Sequence, residues 1–259
     1  MIGAIAGDII GSPHEHIATK TTDFPLFSQS SYFTDDTVLT IATAHAILHR
    51  VPFGEAYREF GRRYPRAGYG GHFFQWLMSD DSRPYGSWGN GSAMRVAPVG
   101  FASDTVESVL REAERSAAVT HDHLEGIKGA QATALAVFRA RTGASKDDIR
   151  GEIADRFDYD LDRTVDDIRP DYEFEISCQR SVPESIIAFL DSDSVEGAIR
   201  LAISLGGDAD TMAAIAGGIA HAFYRDVPLP IVEGVRNRLP AEFLEVVDAF
   251  SSAFPVDRG

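Results

Sequence analysis

Apolar residues recur at intervals of three and four along most of this chain, and the strict alternation of a half-buried strand is nearly absent. In TVLTIATAHAILHR, residues 37–50, Val38, Ile41, Ala42 and Ala46 fall at helical spacing, and the basic end suits a helix C-terminus. The stretch 104–118 opens on an acidic first turn behind Ser103 or Asp104 as N-cap. Ile127, Ala130, Ala134, Val137 and Phe138 carry the period through 124–141, and Gly143 follows as a stop signal. The same reading predicts helices over 183–190, 194–205, 210–224 and 241–253, with a first apolar helix in GAIAGDIIGS. The expected fold is all-α, in a single domain over 1–259.

Two segments interrupt the pattern. Residues 62–100 are rich in glycine, proline and aromatics, with AGYGG at 67–71 and SWGNGSAMRVAPVG at 87–100. So much glycine in helical surroundings predicts loops whose backbone something approaches closely. Residues 155–175 are densely acidic and predict a solvated segment. Further on, SLGGDADTMAAIAGGIAHAFY sets Gly206-Gly207 as a turn before a helix lined by Ala213, Ala214, Ala216, Gly217, Gly218 and Ala220. Each helical glycine costs about 1 kcal/mol, and close packing of neighbouring helices is the economical compensation. That helix is expected in the middle of a bundle, with Asp208 and Asp210 at one end. GAIAGDIIGS has the same small-residue character.

Acidic residues outnumber basic ones 39 to 24, and the net charge of -15 disfavours sequence-independent binding to nucleic acid or to anionic membrane. The N-terminal run lacks a basic region and carries Asp8, unlike a secretory signal. No stretch approaches the roughly 20 apolar residues of a membrane span. Cys178 is the only cysteine, which rules out an internal disulfide or a thiolate metal cluster, and it reads as a packing residue. A cytoplasmic protein is expected, and at this size a monomer.

Two acidic clusters carry the chemistry. Thr34-Asp35-Asp36 and Asp208-Ala209-Asp210-Thr211 each combine two carboxylates with a threonine hydroxyl, and each opens a helix-like run. These are hard oxygen ligands, suited to Mg²⁺ or Mn²⁺. Brought together, the four carboxylates repel unless cations neutralise them, and a pair of metals roughly 3.5–4 Å apart is the known solution. The competing reading makes both clusters N-caps, since Asp and Thr are favoured there. GNGSAMR at 89–95 is a glycine-rich turn entering a helix, able to hold a phosphate on backbone N–H groups or simply to turn the chain. His121 and His123 in THDH are spaced wrongly for joint ligation from one helix face, and Glu15 is a carboxylate just beyond the first helix.

Taken in order, GAIAGDIIGSPHE, FTDDTVLTIA, AGYGG, SWGNGSAMRVAPVG, VTHDHLEGIKGAQATA, CQRSVPESIIAFL and AISLGGDADTMAAIAGGIA closely resemble the ADP-ribosylglycohydrolase family, from about residue 3 to about residue 224. The resemblance implies a compact, orthogonal helical domain with two divalent cations, Mg²⁺ or Mn²⁺, at the base of a cleft. It implies Thr34, Asp35, Asp36, Asp208, Asp210 and Thr211 as metal ligands and Glu15, Asp35 and Asp36 as catalytic carboxylates. It further implies Gly68, Gly70, Gly71, Asn90, Gly91, Ser92 and His121 as the lining of an ADP-ribose site. The expected reaction is hydrolysis of the glycosidic bond between ADP-ribose and an acceptor on a protein or small molecule, with nucleic-acid-linked ADP-ribose left open. Turnover of another nucleotide-sugar, or binding of ADP-ribose without cleavage, are the rival expectations. The chain departs from bacterial members at THDHLEG, 120–126, where Leu124 replaces their proline. Tyr172 and Phe174, in the acidic segment, receive no role.

Overall fold

The computed structural model of the protein describes residues 1–256, and among them fifteen α-helices, one short 3-10 helix at Ser12–His14 and no strand. In chain order the first are α1 (Ile2–Gly11), α2 (Asp35–His49), α3 (Phe53–Arg63), α4 (Gly71–Met78) and α5 (Gly91–Met94). There follow α6 (Ala97–Ala102), α7 (Val106–Ala117), α8 (Leu124–Arg141), α9 (Lys146–Phe157) and α10 (Val165–Ile168). The last are α11 (Cys178–Asp191), α12 (Val195–Ile203), α13 (Ala209–Tyr224), α14 (Leu229–Arg236) and α15 (Ala241–Ala253). The all-α expectation holds, and a single bridge between Gly89 and Ser177 is the only sheet-like pairing among the described residues. No helix among them is long and apolar enough to cross a membrane.

Glycines at every fourth position of α1 decide how the centre is assembled. A Cβ on Gly3 would lie 2.3 Å from the carbonyl oxygen of Gly217, and one on Gly7 only 2.0 Å from that of Ala213. On Gly11 it would fall 2.5 Å from the Cα of Asp210. The pairs run in opposite directions along the two helices, so α1 and α13 are antiparallel and touch backbone to backbone. The end of α1 is thereby held against the beginning of α13. One hydrophobic core extends around this pair, from Met1 to Phe250.

Several boundaries differ from the sequence reading. Helix α7 begins at Val106, not at 104, because Thr105 and Ser108 bond each other's backbone N–H in a capping box. Helix α11 begins at Cys178, ahead of the expected start at 183, and carries Pro183 inside it. The segment 62–100 is not all loop, for α4, α5 and α6 form within it. The acidic segment 155–175 is only half solvated. Asp155, Asp160, Asp162, Asp166, Asp167 and Asp171 are exposed, while Phe157, Tyr159, Leu161, Val165, Ile168 and Tyr172 are buried between them. Its end is clamped by Lys20, whose Nζ donates to the carbonyls of Arg169 and Leu205 at 2.8 and 2.6 Å.

Candidate active site

The N-termini of α2 and α13 meet, and both acidic clusters come with them. Thr211 Oγ1 donates to Asp36 Oδ2 at 3.3 Å, across 175 positions of sequence. Thr34 is the N-cap of α2, its hydroxyl oxygen accepting from the Asp36 N–H at 3.3 Å while donating to Asp8 Oδ1 at 2.7 Å. Asp208 occupies the N-cap position of α13 but makes no capping bond; its Oδ2 accepts from Asn90 Nδ2 at 2.7 Å. The capping alternative thus describes Thr34 and fails for Asp208. The positive ends of two helix dipoles also favour carboxylates at this meeting point.

Glu15, Asp208 and Asp210 each present a carboxylate oxygen within 4.8 Å of the others. Asp36 and Asp210 are 2% and 4% exposed, and Asp36 Oδ1 is buried without any hydrogen-bond partner. Burial first, and then the neighbouring Asp8 and Asp208 carboxylates respectively, hold Asp36 and Asp210 well above the usual carboxylate range. Asp35, whose N–H donates to the Ala67 carbonyl at 2.8 Å, is pushed up to about 8 by burial of its carboxyl and next by Asp8. Burial also raises Asp208, and raises half-buried Glu15 with Asp208 as the second cause. The side chain of solvent-exposed His16 comes within 3.6 Å of the Glu15 carboxylate. An unpartnered buried carboxylate oxygen amid oxygen-only donors fits hard divalent cations.

The cluster forms the floor of a cavity of about 280 Å³. Glu15, Asp35, Asp36, Asp208, Asp210 and Thr211 line it together with Gly68, Gly70, Gly71, Asn90, Gly91 and His121. Thr34 and Ser92 do not line it. Thr34 lies beneath, bonded to Asp8, and the Ser92 hydroxyl donates to the Gly126 carbonyl at 2.7 Å, tying α5 to α8. Gly68 has φ +105°, a conformation that favours glycine. A Cβ on Gly70 or Gly71 would meet no protein atom within 4 Å, so those residues leave bare backbone facing open space. His121 is 4% exposed and bonds Thr120 Oγ1 through Nδ1 at 2.8 Å; burial, then the Arg95 charge, keeps it neutral.

Sequence reasoning missed two residues. Asp8 is wholly buried beneath the cluster, and its signal was a lone carboxylate inside an apolar helix. Arg95, the last residue of GNGSAMR, is also wholly buried and belongs to the cleft lining. In the acidic segment the two aromatics separate: Phe174 is 55% exposed and lines the cleft, whereas the buried Tyr172 donates its hydroxyl to the Arg180 carbonyl at 2.6 Å.

The fold is all-helical, with paired acidic helix starts beneath a glycine-walled cleft. The chain belongs to the ADP-ribosylglycohydrolase family, whose pattern it matches over residues 1–258. It is 28% identical to the ADP-ribosylhydrolase ARH3 of Mus musculus, across 86% of this chain and 82% of that one. The ARH3 of Homo sapiens is 29% identical, across 86% and 84%. An uncharacterized protein of Archaeoglobus fulgidus is 28% identical, across 95% and 92%. A solved structure described as an ADP-ribosylglycohydrolase-related protein complex superposes with a TM-score of 0.76 at 25% identity, covering 97% of this chain and 96% of that one.

Proposed function

We propose that the protein is a metal-dependent hydrolase that cleaves the glycosidic bond between ADP-ribose and an acceptor on a protein or small molecule, working in the cytoplasm. One observation carries this reading: Asp35, Asp36, Asp208 and Asp210 converge on a cleft floor with Asp36 Oδ1 unpartnered. These four carboxylates, with the hydroxyl of Thr211, would hold two divalent cations, Mg²⁺ or Mn²⁺, while Thr34, its hydroxyl bonded to Asp8, supports them from beneath. Such ions, when bound, polarise sugar oxygens and lower the pKa of water.

The chain's own groups do the rest. Gly68, Gly70 and Gly71 admit the ligand to the backbone, and Asn90 and Gly91 line the same cavity. The reaction passes through a transition state with oxocarbenium character, so it needs a negative environment around the sugar and a group that moves a proton. The carboxylate cluster supplies the first. Glu15, at the solvent side with its carboxyl raised by burial and by Asp208, is suited to the second. Asp35 and Asp36 are the other candidates to accept the proton of the attacking water.

A release assay tests the proposal: purified protein, Mg²⁺ or Mn²⁺, and arginine-, serine- and nucleobase-linked ADP-ribose. Metal-dependent release of ADP-ribose, lost in Asp35→Ala and Asp210→Ala, is expected. Binding of ADP-ribose without release from any conjugate would replace the hydrolase with a binding module.

A further inference from the structure

We infer that Arg95 is a positioning residue that fixes the ring proton of His121 on Nε2, making that nitrogen a hydrogen-bond donor toward the cleft. The inference rests on the proposed function only for what the donor meets, an anionic oxygen of the bound nucleotide.

Arg95 lines the cavity yet is 0% exposed, and its side chain is tied to the ligand site through Thr120. Its guanidinium lies 4.3 Å from the Tyr57 ring and 5.7 Å from the Phe73 ring, aromatic faces that take the place of a carboxylate partner. Its Nη2 donates to Thr120 Oγ1 at 2.9 Å and to the Ser116 carbonyl at 3.2 Å. A guanidinium only donates, so the Thr120 oxygen is an acceptor in that bond. The hydroxyl has a single proton to place, and His121 Nδ1 stands 2.8 Å away. If the ring donated instead, the hydroxyl proton would have to turn to Tyr85 or go unmet, the latter at a cost of about 1–3 kcal/mol. Turning the Thr120 proton to Nδ1 satisfies the hydroxyl and the ring together, while Arg95 Nε and Nη1 stay buried without partners. The neutral ring then carries its own proton on Nε2.

That nitrogen is turned to the cleft. Nε2 forms no hydrogen bond among the described residues, and a Cβ on Gly91 or Gly89 would sit 3.1 or 3.8 Å from it. Glycine at both positions keeps its approach open. The chain Arg95–Thr120–His121 therefore converts a buried positive charge into one oriented donor at the phosphate-turn side of the cavity. Tyr85 brings a second hydroxyl toward Thr120 and is the rival destination for the Thr120 proton.

The test records by ¹⁵N NMR of histidine-labelled, Mg²⁺-loaded protein which ring nitrogen of His121 is protonated, and by calorimetry the affinity for ADP-ribose. Wild type is expected to show protonated Nε2 and unprotonated Nδ1. Thr120→Val should abolish that preference and weaken ADP-ribose binding roughly ten-fold, the worth of a charge-assisted bond. Thr120→Ser should restore both, Arg95→Met should weaken both, and Tyr85→Phe should change neither. Protonated Nδ1 in wild type, or a Thr120→Val protein with unaltered tautomer and affinity, would overturn the inference. Thr120→Val is nearly isosteric, so the question is answered even if Arg95→Met fails to fold. The tautomer is read without substrate, so a protein with protonated Nε2 that cleaves no conjugate would overturn the hydrolase and support the positioning role.

Discussion

Asp8 holds Thr34 twice: one carboxylate oxygen accepts the Thr34 N–H at 2.9 Å and the other its hydroxyl at 2.7 Å. The Thr37 N–H adds a third bond at 3.0 Å and the Thr37 hydroxyl a fourth, so a single buried side chain of α1 organises the whole first turn of α2. Removing the carboxylate strands those donors in the interior, and each buried unmet donor costs about 1–3 kcal/mol. Asp8→Ala should lower unfolding stability by roughly 3 kcal/mol or more, read by urea denaturation. Asp8→Asn, which turns an amide N–H₂ into the same donors, should also be destabilised; wild-type stability in it would refute the role given to Asp8.

The carboxylates are arranged for cations, so their response to cations should be opposite to that of an ordinary fold. With no divalent ion present, Asp210→Asn relieves repulsion and should leave the melting temperature equal or higher, since the amide oxygen can still accept the Thr211 N–H at 2.9 Å. Mg²⁺ or Mn²⁺ at a hundred times its dissociation constant should stabilise wild type by about 2.7 kcal/mol and the variant by less. Asp210→Asn should also abolish ADP-ribose release. Equal stabilisation of both proteins in a thermal melt would place the ions elsewhere.

Acidity gives a separate signature. Asp8 is raised to about 6, chiefly by burial, and Asp35 to about 8, by burial and then Asp8. In the unfolded chain both titrate near 4, so between about 4 and 8 the folded state binds more protons than the unfolded. Stability from these groups is therefore complete below about pH 4 and is lost as pH rises through the folded values. Metal-free protein should melt at a lower temperature at pH 8 than at pH 5.5. Divalent ions compete with the same protons, so the stabilisation by Mn²⁺ should grow over that interval. A metal-free melting temperature that rises with pH would contradict the burial of these carboxylates.

Two glycines separate packing from ligand access. Gly7→Ala drives a methyl to 2.0 Å from the Ala213 carbonyl, where only movement of a helix makes room, and should cost about 3 kcal/mol or prevent folding. At Gly70 the first side-chain carbon meets no protein atom within 4 Å, so Gly70→Val should change stability by less than about 0.5 kcal/mol. The same valine projects into the cleft and should weaken ADP-ribose binding roughly ten-fold, which calorimetry measures. Unchanged binding in Gly70→Val would remove Gly70 from the ligand site.

Local signals carried much of this protein. The helical period over 124–141 and 241–253 coincides with α8 and α15, because the face that repeats every few residues is the face that becomes buried. The two acidic clusters, and the glycine turns between them, were visible as residue types in unusual company. Boundaries set by a reciprocal cap, as at Thr105, or crossed by a tolerated proline, as at Pro183, were not. What tertiary structure alone decided is convergence. Nothing near Asp36 announces that Thr211 will bond it, and nothing near Gly7 announces that Ala213 will lie against it. Asp8 and Arg95 acquire their roles in the same way, through burial beneath or within the wall of a cleft assembled from distant segments. Periodicity and capping act over a few residues, whereas a site of four carboxylates depends on how closely α1 and α13 can approach, a property of packed surfaces.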